Sequence, residues 1–155
     1  MLKLILNKKY NPLFDSDARY FIITGGRGSG KSFAVTVFLT LLTMTKGIRI
    51  LFTRFTMTSA HLSIIPEFLE KISLLGFDDI FSINKAEVVN IKNNSDILFR
   101  GIKTSAGNQT ASLKSLQGIS TWVLDEAEEL VDENIFDTID LSIREKNIHN
   151  RVVLI

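Results

Sequence analysis

Tyr20-Phe21-Ile22-Ile23-Thr24-Gly25-Gly26-Arg27-Gly28-Ser29-Gly30-Lys31-Ser32 decides how this chain is read. A short apolar run, Phe21 to Ile23, reads as a buried strand. It meets a glycine-rich turn that ends in Gly-Lys-Ser. The last eight residues, Gly25 to Ser32, fit G-x-x-x-x-G-K-[ST], the phosphate-binding loop. A polyphosphate is an anion that must be gripped closely from several sides. Gly25, Gly26, Gly28 and Gly30, with Arg27 and Ser29 between them, let the backbone curl so that successive N–H groups point inward. The segment from Phe33 to Met44 is apolar nearly all round and reads as a buried helix. Its free N–H groups and positive dipole end add to the grip. Lys31 is expected to reach the β- and γ-phosphates, and the Ser32 hydroxyl to ligate Mg²⁺. The alternative, an ordinary glycine-rich turn, does not require the strand and helix that flank this one.

Composition bounds the rest. The chain has 155 residues, which is one domain or part of one. A hydrophobic content of 45% is enough for a core. Lys+Arg 18 against Asp+Glu 17 gives a net charge of +1, so any nucleic-acid contact must come from local patches. There is no cysteine, which removes disulfides, thiolate metal sites and cysteine nucleophiles and fits a reducing compartment. The apolar stretch 33–44 is too short to span a bilayer, and 1–6 is too short for a signal-peptide core. The protein reads as cytosolic.

Outward from the loop, residues 2–6 read as a short strand or a packed arm, and 8–12 as a loop. Tyr10, Arg19 and Tyr20 precede the phosphate loop and are candidates to flank a nucleotide base; the bland reading is surface and strand residues. Ile48–Phe52 is a second strand, which makes a βαβ unit and implies a parallel sheet. Arg54, just beyond that strand, contacts DNA or phosphate or is simply solvated. Residues 58–75 carry helical periodicity, interrupted by Pro66 and closed by Gly76. His61 lies on this helix near no other ligand type. Residues 80–83 and 87–91 look like strands, and 93–95 a turn with a return strand over 96–100. Together they read as an antiparallel hairpin inserted at a sheet edge. Asn84-Lys85-Ala86-Glu87 has the outline of a guanine-reading motif, but it ends in Glu and precedes the acidic strand, so that reading is dropped. Residues 103–112 read as a polar, mobile loop. Lys103 and Lys114 are weak candidates for a phosphate backbone.

The second informative stretch is Thr121-Trp122-Val123-Leu124-Asp125-Glu126-Ala127. An apolar strand that runs into two carboxylates is the Walker B pattern. Asp125 is placed to support Mg²⁺ beside Ser32. Glu126, expected on the other side of the strand, is placed to deprotonate the attacking water. The bland reading is an acid-rich start to the next helix. Residues 132–144 then read as an amphipathic helix with Ile135, Phe136, Ile139 and Ile143 on one face. His149 has no evident partner. Arg151–Ile155 opens another strand, and the chain reads as a piece of a longer protein.

Together, Arg19-Tyr20, the loop Gly25–Ser32, the strand ending at Arg54, the hairpin around Asn93-Asn94, Ser115-Leu116-Gln117-Gly118-Ile119 and Val123-Leu124-Asp125-Glu126-Ala127 resemble the large terminase subunit of tailed bacteriophages. The resemblance covers nearly all of the chain. It implies a RecA-like (ASCE) P-loop NTPase of α/β class, with a mainly parallel sheet flanked by helices and an inserted antiparallel hairpin. It implies an ATPase that uses ATP and Mg²⁺ to drive double-stranded DNA through a portal into a procapsid. Carried onto this chain, Lys31 and Ser32 bind phosphate and metal, Asp125 supports the metal, Glu126 is the catalytic base and Arg27 senses or stabilises the γ-phosphate. The implied partners are DNA, a portal protein, a small terminase subunit and further copies in a ring. The implied location is the cytoplasm of an infected bacterium. The family's coupling motif and C-terminal nuclease domain have no counterpart here, so 1–155 is expected to be a partial ATPase domain without nuclease activity. Two other classes stay open: another P-loop DNA-dependent ATPase of helicase or repair type, and a nucleotide-binding module without turnover.

Overall fold

The computed structural model describes residues 4–57, 60–104, 107–108 and 110–155. A 3₁₀ turn at Lys8–Tyr10 and the one-turn helix α1 (Pro12–Asp15) replace the loop expected there. Pro12 sits at the first helical position, where its missing N–H costs nothing. Of the short strand or packed arm expected at 2–6, residues 2 and 3 lie outside the described part, and 4–6 are not a strand; Leu6 packs against the core. There follow β1 (Tyr20–Ile22), α2 (Lys31–Leu42), β2 (Arg49–Arg54), α3 (Ala60–Leu74), β3 (Phe81–Ile83), β4 (Glu87–Asn90), β5 (Asp96–Gly101), β6 (Lys103–Thr104), β7 (Gly107–Asn108), α4 (Thr110–Lys114), β8 (Thr121–Leu124), α5 (Glu133–Asp140) and β9 (Arg151–Leu154). No helix among the described residues is long and apolar enough to cross a membrane.

Seven strands form one sheet in the order β1-β9-β8-β2-β5-β4-β3. From β1 to β5 all neighbours are parallel. β4 and β3 add antiparallel to the outer side of β5. The expected antiparallel hairpin is thus present at the sheet edge. Its return strand, β5, is also a parallel partner of β2, in register from Arg49↔Asp96 to Arg54↔Gly101. The ion pair of Arg49 with Asp96, 2.9 Å, sits at the start of that register. The mobile loop expected at 103–112 is also corrected: β6, β7 and α4 occupy it, with residues 105, 106 and 109 outside the described part.

Strand alternation divides the core in two. Ile50, Phe52, Ile97, Phe99, Val123 and Val153 face one way, onto α2 and α3. Leu51, Leu98, Trp122, Leu124 and Val152 face the other way, onto α4 and α5. On the first face the rings of Phe52, Phe68 and Phe99 meet at centroid distances of 5.3 to 6.0 Å, two pairs edge-on. On the second, the buried indole of Trp122 donates to the Thr53 hydroxyl at 2.8 Å, so its N–H is satisfied.

α2 fits its apolar sequence: Ala34 to Thr40 are buried in an unbroken run. Its buried hydroxyls turn back onto the helix, Thr40 donating to the Thr36 carbonyl at 2.8 Å and Thr43 to the Thr40 carbonyl at 2.7 Å. Beyond its last turn, the β4–β5 connection supplies the missing donors. Asn90 and Asn93 reach the Thr43 carbonyl at 3.1 and 3.0 Å, and Ser95 reaches the Thr45 carbonyl at 2.8 Å. α3 keeps Pro66 inside it, and Gly76, at φ +72°, closes it. His61 side-chain placement lies outside the described part. α5 starts at the cap Asp132, whose carboxylate accepts from the Asn134 N–H at 3.0 Å, and ends at Asp140, short of the expected 144.

Candidate nucleotide-binding site

Parallel strands bring their C-terminal ends to one side of the sheet, and the site is built there. β1 is an edge strand, not the buried one expected: Phe21 is buried, but Tyr20 and Ile22 are 48% and 72% exposed. From it the chain passes through Gly25 at φ +146°, Gly28 at +74° and Gly30 at +81°. L side chains adopt these conformations rarely, which accounts for glycine at each. At Gly25 a Cβ would also lie 3.0 Å from the Ser29 hydroxyl. The buried Tyr10 holds the loop from beneath, its hydroxyl donating to the Ser29 carbonyl at 2.8 Å. Lys31 Nζ donates back to the Gly25 carbonyl and so spans the loop.

The loop, α2, Arg54, the acidic pair and Ile155 enclose an open cavity of about 530 Å³. The first helical bond of α2 is donated by Ala34 to the Gly30 carbonyl, 3.0 Å. The N–H groups of Lys31, Ser32 and Phe33 precede it, and all three residues line the cavity. Arg27 lines it too. Ser29 Oγ is buried without a hydrogen-bond partner. Free N–H groups, three cationic side chains and an orphaned hydroxyl around one cavity suit a polyphosphate.

The acidic pair reaches the cavity through β8. The Asp125 N–H continues the ladder to the Thr53 carbonyl at 2.9 Å, and the Ala127 N–H bonds the Ile155 carbonyl at 2.9 Å. Between them Glu126 takes φ 55°, ψ 50°, a left-handed conformation that is costly for a residue with a Cβ. Strand alternation ends there, so the expectation that Glu126 points to the opposite side is corrected: Asp125 and Glu126 line the same cavity. Arg54 ends β2 beside them. Its Nε donates to Asp125 Oδ2 at 2.6 Å, and its Nη2 lies 3.7 Å from Glu126 Oε1. Among the described residues no group of three or more His, Cys, Asp or Glu is placed to hold a metal by itself. Mg²⁺ in a phosphate loop takes most of its ligands from phosphate and water, so one hydroxyl and one carboxylate, Ser32 and Asp125, are the donor set it needs.

A narrow crevice of about 50 Å³ adjoins this cavity and shares Ser32, Arg54, Asp125 and Ile155 with it. Its far wall is α3, through Ser63, Ile64 and Glu67. Burial pushes the Glu67 carboxyl up from its ordinary range; Lys71 opposes the shift and Asp125 adds to it.

Other sequence expectations land elsewhere. Tyr20, a candidate for the base, sits at the start of β1, away from the loop at its end, and its hydroxyl donates to Asp140 Oδ2 at 2.9 Å. Arg19 joins it there, 2.9 Å from Asp140 Oδ1. The pair ties β1 to α5. His149 has a partner after all, with Nε2 3.0 Å from the Ala18 carbonyl oxygen. The Asn84 side chain accepts from the Ala86 and Glu87 N–H groups at 2.8 and 3.0 Å, which explains its motif as a turn. Lys103 Nζ lies 5.6 Å from the Phe55 ring centre. Sequence reasoning missed Arg54 and Glu67 as members of the acidic site. Only the parallel register, Thr53 opposite Leu124, carries Arg54 to Asp125.

A family model described as phage terminase large subunit matches residues 17–155. No curated protein matches the sequence. Among solved structures, the large terminase of bacteriophage HK97 aligns with a TM-score of 0.71 at 11% identity, over 97% of this chain and 33% of that one. The large terminase of a thermophilic bacteriophage gives 0.67 at 10% identity, over 95% and 35%. The N-terminal domain of the DNA packaging ATPase from bacteriophage phi29 gives 0.66 at 16% identity, over 96% and 77%. The chain thus spans about a third of the length of the first two of these proteins. At these identities the likeness speaks for the fold, which is RecA-like: a mainly parallel seven-stranded sheet with flanking helices.

Proposed function

Since this chain belongs to the phage terminase large subunit family, we propose that it is an ATP-hydrolysing unit of a motor that packages double-stranded DNA into a procapsid. The observation that carries the reading is the convergence of the phosphate loop and the acidic pair on one cavity, from opposite sides of the strand β9. Gly25 to Gly30 present backbone N–H groups to the triphosphate, and Lys31 exchanges the Gly25 carbonyl for phosphate oxygens. Ser32 and Asp125 would hold Mg²⁺, which would supply positive charge against the phosphates when bound. Glu126 accepts a proton from the attacking water. Arg27, in the loop, offsets charge that develops on the transferred group.

DNA, portal and small-subunit contacts, assembly into a ring, and action in the infected cell's cytoplasm belong to the same proposal and rest on the family. The test is ATP turnover by wild type and Glu126→Gln, with and without double-stranded DNA. Turnover is expected to fall by ~10²–10⁴ in the variant, the share a positioned base contributes, while ATP binding survives. Unchanged turnover removes Glu126 from the base role. Binding without turnover in the wild type identifies a nucleotide-binding module instead. Lys31→Ala is expected to lose nucleotide binding, and retained binding counts against the loop.

A further inference from the structure

Glu67 is an acidic group beside this site that the assigned chemistry leaves unused. It lies on α3, three residues after Ile64 and one before Phe68, both buried in the core, so the helix holds it against the crevice rather than in open solvent. The same crevice is lined by Ser32, Thr36, Arg54 and Asp125. Arg54 is engaged by the acidic pair, at 2.6 Å from Asp125 and 3.7 Å from Glu126. Lys71, one turn along α3, is paired with Glu70 at 3.0 Å and stacked over the Phe33 ring at 4.9 Å. Glu67 itself takes part in no hydrogen bond or ion pair among the described residues. A half-buried carboxylate without a partner is costly to keep. Its raised pKa reflects that cost. It shares that crevice with Ser32 and Asp125.

We propose that Glu67 is a positioning residue for the hydrated magnesium ion held by Ser32 and Asp125. The crevice, about 50 Å³, has room for a water and offers it the Glu67 carboxylate, the Thr36 and Ser63 hydroxyls and Asp125 as partners. Through such a water Glu67 acts on the cation's hydration shell from the side of α3, without touching the triphosphate. Groups of this kind orient metal ligands and commonly change metal affinity by 10–100-fold when removed. Because α3 also carries Lys71 over Phe33, the residue after Ser32, both charged side chains bear on the start of α2. The proposal rests on the Ser32–Asp125 metal site of the preceding section.

The test is the Mg²⁺ dependence of fluorescent ATP-analogue binding by the full chain, read with wild type, Glu67→Gln, Glu67→Asp and Glu70→Gln. In Glu67→Gln the Mg²⁺ midpoint is expected to rise about tenfold, while analogue binding in EDTA stays at the wild-type level. Glu67→Asp keeps the charge and is expected to recover part of the shift. Glu70→Gln, three residues along and outside the crevice, is expected to leave the midpoint unchanged. A wild-type midpoint in Glu67→Gln overturns the proposal and leaves the metal site standing. An equal loss of binding in EDTA overturns it also, since the defect is then structural. A wild type that gains nothing from Mg²⁺ overturns the metal site and this proposal with it.

Discussion

Arg54 and the acids it holds illustrate how charge is balanced at the scale of single residues. The Asp125 carboxylate is 14% exposed and its cationic partner is Arg54. Removing that arginine leaves a largely buried acid uncompensated. Arg54→Ala is expected to lower stability by about 1–3 kcal/mol without metal, the cost of a lost charged hydrogen bond. Mg²⁺ then replaces the missing positive charge, so it raises the melting temperature of Arg54→Ala more than that of wild type. Equal effects of Mg²⁺ on both proteins count against a metal at Asp125. Glu67 gives a pH signature. Its folded-state pKa lies above the unfolded value, so the native state holds the proton more tightly. The stability this contributes is complete below the unfolded carboxyl range and is lost as pH rises through the raised folded value. Urea midpoints followed upward from acid pH in metal-free buffer are therefore expected to fall less in Glu67→Gln, which cannot ionise, than in wild type.

Elements differ in what holds them. α5 is short and strongly amphipathic, and its place depends on Ile135 and Ile139 against Trp122 and Leu124. Ile139 is fully buried, so Ile139→Ala is expected to cost about 2–5 kcal/mol in chemical denaturation. Leu141→Ala, at a position 58% exposed just past the same helix, is expected to cost no more than about 0.5 kcal/mol. α2 relies on the β4–β5 connection. Asn93 donates to the Thr43 and Met44 carbonyls at 3.0 and 3.1 Å. Asn93→Ala removes both donors and is expected to cost about 1–2 kcal/mol. Since α2 begins at the phosphate loop, a hydrogen-exchange comparison should show faster exchange at its C-terminal end and little change at Ser32. The cap thereby stabilises the helix from the end opposite the phosphate loop.

Over the whole molecule, stability is graded across the sheet. β9, β8, β2 and β5 have strand neighbours on both sides, whereas β1 and β3 have one each. Amides of β8 and β2 are expected to exchange slowest and those of β1 and β3 fastest. The phosphate loop is thus hung between an edge strand and a helix that spans the core. Tyr10 ties the loop down from one side, through its bond to the Ser29 carbonyl. Tyr10→Phe is expected to weaken nucleotide binding several-fold, in line with about 1 kcal/mol for one hydrogen bond, with the fold intact.

How far the residues alone carried the reading depends on distance along the chain. Gly25 to Ser32 act within a short stretch of backbone, so their types and spacing are enough to read a glycine-rich turn that opens a helix. The apolar runs into α2 and β8 and the acids after Leu124 are equally local. Strand order is not local. Nothing in Arg151–Leu154 says that it lies between β1 and β8, and nothing in Asp96–Gly101 says that this hairpin return also pairs in parallel with β2. Tyr20 precedes the loop in sequence, yet a parallel strand carries it away from the loop, to Asp140. Glu126 departs from strand alternation because its backbone turns left-handed where the ladder ends. By itself the sequence determined the glycine-rich turn into α2 and the two acids that follow β8, because those patterns are set by bonds between near neighbours. Only the tertiary structure decided which cations and carboxylates face one another across the cavity, since the register of parallel strands and the packing of α3 on α2 arise from contacts between residues far apart in the chain.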